Sequence, residues 1–164
     1  MKGQIFSLAV ALLPAGLAGP AMAGQATTSF SVSATVQSSC AVSAGTLAFG
    51  NYAAATATPN DVSSTISVTC TSGLAYTVAL DGGTTTSTVN ARAMTDGNSH
   101  NLTYALYTTS GRTTLFGDGT SSTQTMGGTG NGSAQSVTVF GRIPVAQYVT
   151  AGSYTDSVGV TVNY

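Results

Sequence analysis

Few residues in this chain are equipped for chemistry. Among 164 residues there are four Lys or Arg, five acids, one histidine and two cysteines. The acids Asp61, Asp81, Asp96, Asp118 and Asp156 are scattered singly. Catalysis by side chains needs paired acids, a nucleophile beside a base, or a metal cage. His100 sits in Asp96-Gly97-Asn98-Ser99-His100-Asn101, a turn-like polar stretch, and reads as a solvated loop histidine. Gly127 to Gly132 lacks the lysine and following helix of a phosphate-binding loop. Tyr104, Tyr107 and Phe116 are expected in the core or on a sheet surface rather than as a sugar-stacking platform. The chain is therefore not expected to be an enzyme, and no cofactor or metal is expected.

The remaining reactive groups are Cys40 and Cys70. Their compartment is set by the first 23 residues. Lys2 gives a short positive start, Ile5 to Leu13 an apolar run, and Ala21-Met22-Ala23 a small-x-small cleavage site. That run is too short to span a bilayer about 30 Å thick, so residues 1–23 read as a secretory signal peptide, with the mature chain starting at Gly24. No later apolar run is long enough for membrane insertion. An even cysteine count in an oxidising compartment favours a disulfide between Cys40 and Cys70 over two free thiols or a two-ligand metal site. Closing a loop of about 30 residues should stabilise by roughly 3–4 kcal/mol.

The one lysine lies in the leader. The mature chain keeps three arginines, Arg92, Arg112 and Arg142, against five aspartates, a net charge of −2, with no lysine or glutamate. Such a chain has no basic patch for nucleic acid and no cationic face for anionic lipid. Weak mutual repulsion tolerates side-by-side assembly.

The elements that must carry these residues are strands. Apolar residues recur with period two at Phe30, Val32, Ala34 and Val36, at Ile66, Val68 and Cys70, and at Tyr76, Val78 and Leu80. The same period returns at Leu102, Tyr104 and Leu106, at Val137 and Val139, and at Val158, Val160, Val162 and Tyr164. Polar, glycine-rich connections separate them. Ala53 to Asp61 is one, and Gly117 to Gln135, the longest, reads as an exposed loop with room for a short strand near Gln124 to Met126. Many short alternating strands predict an all-β antiparallel sandwich. The count is lopsided, with an alternating strand, Thr28 to Val36, ahead of the first cysteine and an abrupt finish at Tyr164.

Several stretches together resemble the spore coat protein U domain family, which includes the major subunits of archaic (Csu-type) chaperone–usher pili. They are Cys40-Ala41-Val42, Leu47 to Tyr52, Ile66 to Cys70, Tyr104 to Tyr107 with Arg112, Phe140 to Pro144, and Gly152 to Tyr164. The resemblance implies an incomplete immunoglobulin-like sandwich (residues 38–164) lacking its last strand, preceded by a donor-strand segment (24–37). In such subunits a periplasmic chaperone first fills the gap. An outer-membrane usher then exchanges the chaperone strand for the N-terminal strand of another copy or a related subunit. The implied donor residues here are Phe30, Val32, Ala34 and Val36; the implied acceptor-groove residues are Val158, Val160, Val162 and Tyr164. The implied function is a secreted structural subunit polymerising by donor-strand exchange into an extracellular pilus or fibre used in adhesion and biofilm formation. The alternatives are a spore-coat-like or other secreted surface protein, or a monomeric extracellular binding module.

The donor assignment has a physical basis. A groove-filling strand binds by main-chain hydrogen bonds, with alternate side chains in pockets. Burying Phe30, Val32 and Val36 would contribute roughly 4–9 kcal/mol before ordering costs. A slip of one residue would turn Ser31, Ser33 and Thr35 inward, so register should be strict.

Overall fold

The computed structural model describes Gly19 and residues 22–164. The expected signal peptide lies outside the described residues, apart from Gly19, Met22 and Ala23. The chain divides into two units, Met1–Thr35 and Val36–Tyr164.

The second unit is almost entirely β. A four-stranded sheet has the order β1 (Cys40–Ala44), β2 (Asn60–Cys70), β8 (Gln135–Ile143), β6 (Ala105–Tyr107). A three-stranded sheet has the order β7 (Met126–Thr129), β3 (Ala75–Leu80), β9 (Val160–Asn163). A small third pair joins β4 (Ala93–Thr95) to β5 (Asn101–Thr103), and one helical turn, α1 (Gly83–Thr86), follows β3. Every ladder is antiparallel.

The period-two pattern is what folds this unit. Alternate residues of a strand face opposite sides of its sheet. Ile66, Val68 and Cys70 of β2, Val137 and Val139 of β8 and Leu106 of β6 meet Tyr76, Val78 and Leu80 of β3 in one apolar core. Val68, Val78 and Phe116 are wholly buried. Tyr104 is buried and Tyr107 half-buried, as the sequence predicts for core and sheet-surface aromatics.

Four strand expectations need correction. The run Leu102, Tyr104 and Leu106 is divided between β5 and β6, which belong to different sheets. The alternating stretch Thr28 to Val36 belongs to no strand. The final strand is short: β9 covers Val160–Asn163, while Tyr154 to Gly159 approaches it as irregular chain. The glycine-rich stretch Gly117 to Gln135, read as an exposed loop with room for a short strand near Gln124 to Met126, contains β7 at Met126–Thr129, paired with β3 from Ala75 to Val78. Glycine is what allows that pairing, since a Cβ at Gly128 would stand 2.6 Å from the Tyr76 hydroxyl. Gly141 does the same on β8, where a Cβ would meet Leu47 and Phe49 at 2.9 Å.

Candidate functional site: an open groove between the sheets

β1 and β9 are each the edge strand of their sheet, and they lie near each other on one side of the sandwich. Neither is paired on its outer side among the described residues. Between them opens an apolar cleft of about 270 Å³. Its four-stranded-sheet wall is formed by Ala44, Gly45, Ile66, Leu106 and Val139, with Leu47 and Phe49 from the loop after β1. Its other wall is formed by Leu80, Val158 and Val160.

The structure brings together some of the expected groove residues and not others. Val158 and Val160 line the cleft. Val162 is half-buried against the core one turn of the pleat further on, where it stands opposite the wholly buried Val78. Tyr164 is 61% exposed and does not line this cleft. The cleft therefore occupies only the end of the groove nearest Ala44 and Leu80. The sequence reading missed Leu47, Phe49 and Leu80 as lining residues. Leu47 and Phe49 lie outside any strand, so periodicity gave no signal for their direction.

One carboxylate stands at the cleft. Asp156 Oδ2 accepts the Tyr104 hydroxyl at 2.6 Å, and Oδ1 accepts from the Thr84 hydroxyl and the Thr85 amide, each at 3.0 Å. Burial pushes the Asp156 carboxyl up, but the bonds from Tyr104, Thr85 and Thr84 outweigh it and hold it below its ordinary value. Burial first, and then the Asp156 bond, push the Tyr104 phenol up. Asp81 Oδ1 accepts from the Gly83 and Gly159 amides at 2.9 and 2.8 Å. Two carboxylates thus fasten the irregular stretch 156–159 to α1 and set the direction in which Val158 points.

The end of β3 is fastened by Arg92, 1% exposed. Its guanidinium donates to the carbonyls of Phe116 (3.0 Å), Leu80 (3.3 Å) and Asp81 (Nε, 2.8 Å). Burial lowers its pKa. The other two arginines converge on Asp61: Arg142 takes it bidentately at 2.7 and 2.8 Å, and Arg112 approaches at 3.3 Å. The Arg142 bonds hold the Asp61 carboxyl below its ordinary range. His100 faces Asp96 at 2.7 Å in an exposed loop.

Cys40 and Cys70 form a disulfide, directly opposite each other where β1 begins and β2 ends. It ties the groove's β1 lip to the sheet. Just before it, the Ser39 amide donates to the Thr71 hydroxyl (3.0 Å) and the Thr71 amide donates to the Ser39 carbonyl (2.9 Å).

The expected donor residues are exposed. Phe30 is 87% exposed, Val32 and Val36 each 83%, and Ala34 is exposed as well. Large apolar side chains thus meet solvent at every second position of this stretch.

A second, larger cleft of about 690 Å³ lies between the loops 47–54 and 147–154. The Tyr52 hydroxyl donates to the Pro144 carbonyl and accepts the Gln147 amide, and Gln147 pairs through its side chain with the Thr103 backbone. Among the described residues no group of three or more His, Cys, Asp or Glu is gathered to hold a metal. No described helix is long and apolar enough to cross a membrane.

The sequence matches the Spore Coat Protein U domain over residues 26–161. No curated protein matches it. Among solved structures it is similar to a chain of the chaperone–tip adhesion subunit pre-assembly complex, CsuC–CsuE, of the archaic chaperone–usher Csu pili of Acinetobacter baumannii. The TM-score is 0.59 at 25% identity, covering 79% of the present chain. The present chain spans about 40% of the length of that solved chain.

Proposed function

The chain belongs to the Spore Coat Protein U domain family, and from that premise we propose that it is a secreted structural subunit of a chaperone–usher pilus or similar extracellular fibre, assembled by donor-strand exchange. In this reading residues 1–23 export the chain, residues 24–37 are the donor segment, and residues 38–164 form the acceptor sandwich. Phe30, Val32, Ala34 and Val36 of one copy fill the groove between β1 and β9 of the next. A periplasmic chaperone holds the groove beforehand, an outer-membrane usher catalyses the exchange, and the fibre serves adhesion and biofilm formation at the cell surface.

The observation that carries the proposal is the complementarity of two unsatisfied features of one chain. One is an open apolar cleft flanked by two unpaired strand edges. The other is a charge-free segment exposing large apolar side chains at every second position. An exposed edge invites an added strand, and period-two anchors are what such a strand needs. Donor and acceptor on one chain make a heterologous contact, which propagates into a filament when it does not close into a ring.

The test is deletion of residues 25–37 in cells that also express a matching chaperone and usher. The full chain should give a ladder in SDS without heating, and the deletion should abolish it while chaperone capture persists. A deleted chain that still polymerises would refute the donor assignment; a full chain that stays a soluble monomer would favour the binding-module alternative.

A further inference from the structure

Resting on the donor-strand reading, we infer that the two-residue tether Gln37–Ser38 prevents a chain from closing its own groove with its own segment in the antiparallel sense, reserving that pairing for a second copy. The fold gives the groove a direction. β1 starts at Cys40, beside the disulfide, and ends at Ala44 on the cleft. β9 runs the other way, from Val160 on the cleft to Asn163 opposite Thr77. The three-stranded sheet that contains β9 is antiparallel throughout. A strand that extends it antiparallel to β9 must run from the disulfide end towards the cleft.

The donor segment is anchored at the wrong end for that. Ser39 is held by Thr71 through both its amide and its carbonyl, next to the Cys40–Cys70 bond. Val36 lies three residues before Ser39, a reach of at most about 11 Å when fully extended. The cleft lies the length of β1 away, about 13 Å along the strand, and a neighbouring strand adds about 5 Å sideways. Val36 cannot be placed beside Ala44, so its three upstream partners cannot fill the groove in that orientation. The chain's own segment can reach the groove only by turning back as a hairpin on β1. It would then run parallel to β9, the less stable pairing. A segment from another copy carries no such restriction.

Lengthening the tether should release the block. The test uses residues 24–164 with eight Gly/Ser residues inserted between Gln37 and Ser38, enough for a flexible chain to span about 17 Å. The unmodified chain is studied beside it, both as dilute monomers, with a synthetic peptide of residues 25–37 as probe. The lengthened chain should melt several degrees higher than the unmodified one, independent of concentration, and Val32→Asp should remove the gain. The unmodified monomer should respond to Val32→Asp less than the lengthened chain does and should gain several degrees from the peptide. The inference is overturned if Val32→Asp lowers the melting point of the unmodified monomer as much as that of the lengthened chain, because the short tether would then place no limit on self-closure. It is also overturned if the peptide stabilises the unmodified chain but the longer tether gains nothing. A peptide that stabilises neither chain would instead remove the donor-strand reading, and the inference with it.

Discussion

Arg92 shows how a charge can be used as a structural bolt. Its guanidinium satisfies three backbone carbonyls, those of Leu80 and Asp81 at the end of β3 and that of Phe116, from a wholly buried position. Arg92→Met would leave these acceptors without donors, and should cost about 2–4 kcal/mol in denaturant unfolding. Arg92→Lys should recover little, since a single ammonium cannot reproduce the planar fork. A loss below about 1 kcal/mol for Arg92→Met would mean that water replaces the guanidinium. Asp156 makes a prediction of a different kind. Its folded-state pKa lies below the ordinary 3.8, so its bonds stabilise the protein above that value and are lost as pH falls through the lower folded value. Asp61, held low by Arg142, and Asp96, lowered to about 2 by its bond from His100, act in the same direction. Melting temperature should therefore fall below about pH 4, and Asp156→Asn should flatten part of that fall. An unchanged slope in the variant would assign the acid sensitivity elsewhere. None of this was legible in the sequence. The scattered acids and arginines suggested pairs without naming them, and Arg92 turns out to bind carbonyls, which carry no sequence signature.

Strands with strict alternation were legible. β2, β3 and β8 appear where Ile66, Val68, Tyr76, Val78, Val137 and Val139 place their apolar faces, because a buried face fixes register. β1 was not predicted. Its Cys40-Ala41-Val42-Ser43-Ala44 is small and exposes most residues, so it reads as a connection until β2 pairs with it. The short strand expected near Gln124 to Met126 appears slightly later, as β7, where Gly128 clears the Tyr76 side chain. Half of the candidate groove was visible in the period-two run that includes Val158 and Val160; the Leu47–Phe49 wall was not. The disulfide was inferred from cysteine count and export, and its role follows from where it falls. Among the described residues β1 has β2 as its only ladder partner, and the Cys40–Cys70 bond fastens the first residue of that ladder. Replacing both cysteines with alanine should cost about 3 kcal/mol by denaturant unfolding. If β1 also frays, amide exchange at Val42 and Ala44 should accelerate far more than at Val137 or Val139. Equal protection in the two strands would show that the ladder alone holds the groove's lip.

The whole chain is nearly uncharged, and assembly should reflect that. Residues 24–164 carry three arginines and five aspartates. Two of the arginines are spent on Asp61, on the β2–β8 ladder, and the third is buried. Residues 24–37 contain no charged side chain, and the cleft contains one carboxylate, Asp156, already occupied by Tyr104 and α1. If the segment fills the cleft, the contact depends on apolar burial and main-chain hydrogen bonds, neither of which is weakened by counterions. Exposed ion pairs, by contrast, are largely screened once the Debye length falls to about 3 Å near 1 M salt. Association of the full chain with the peptide 25–37 should therefore hold its affinity between about 0.05 and 1 M sodium chloride. Sulfate should strengthen it, since excluded salts favour burial. Phe30→Asp should weaken binding by at least a hundredfold, because a carboxylate would enter the apolar groove without a partner. Both arms are read by calorimetric titration. An affinity that falls tenfold with sodium chloride, or a Phe30→Asp peptide that binds like the unmodified one, would show that the contact is made by some other, polar surface of this molecule.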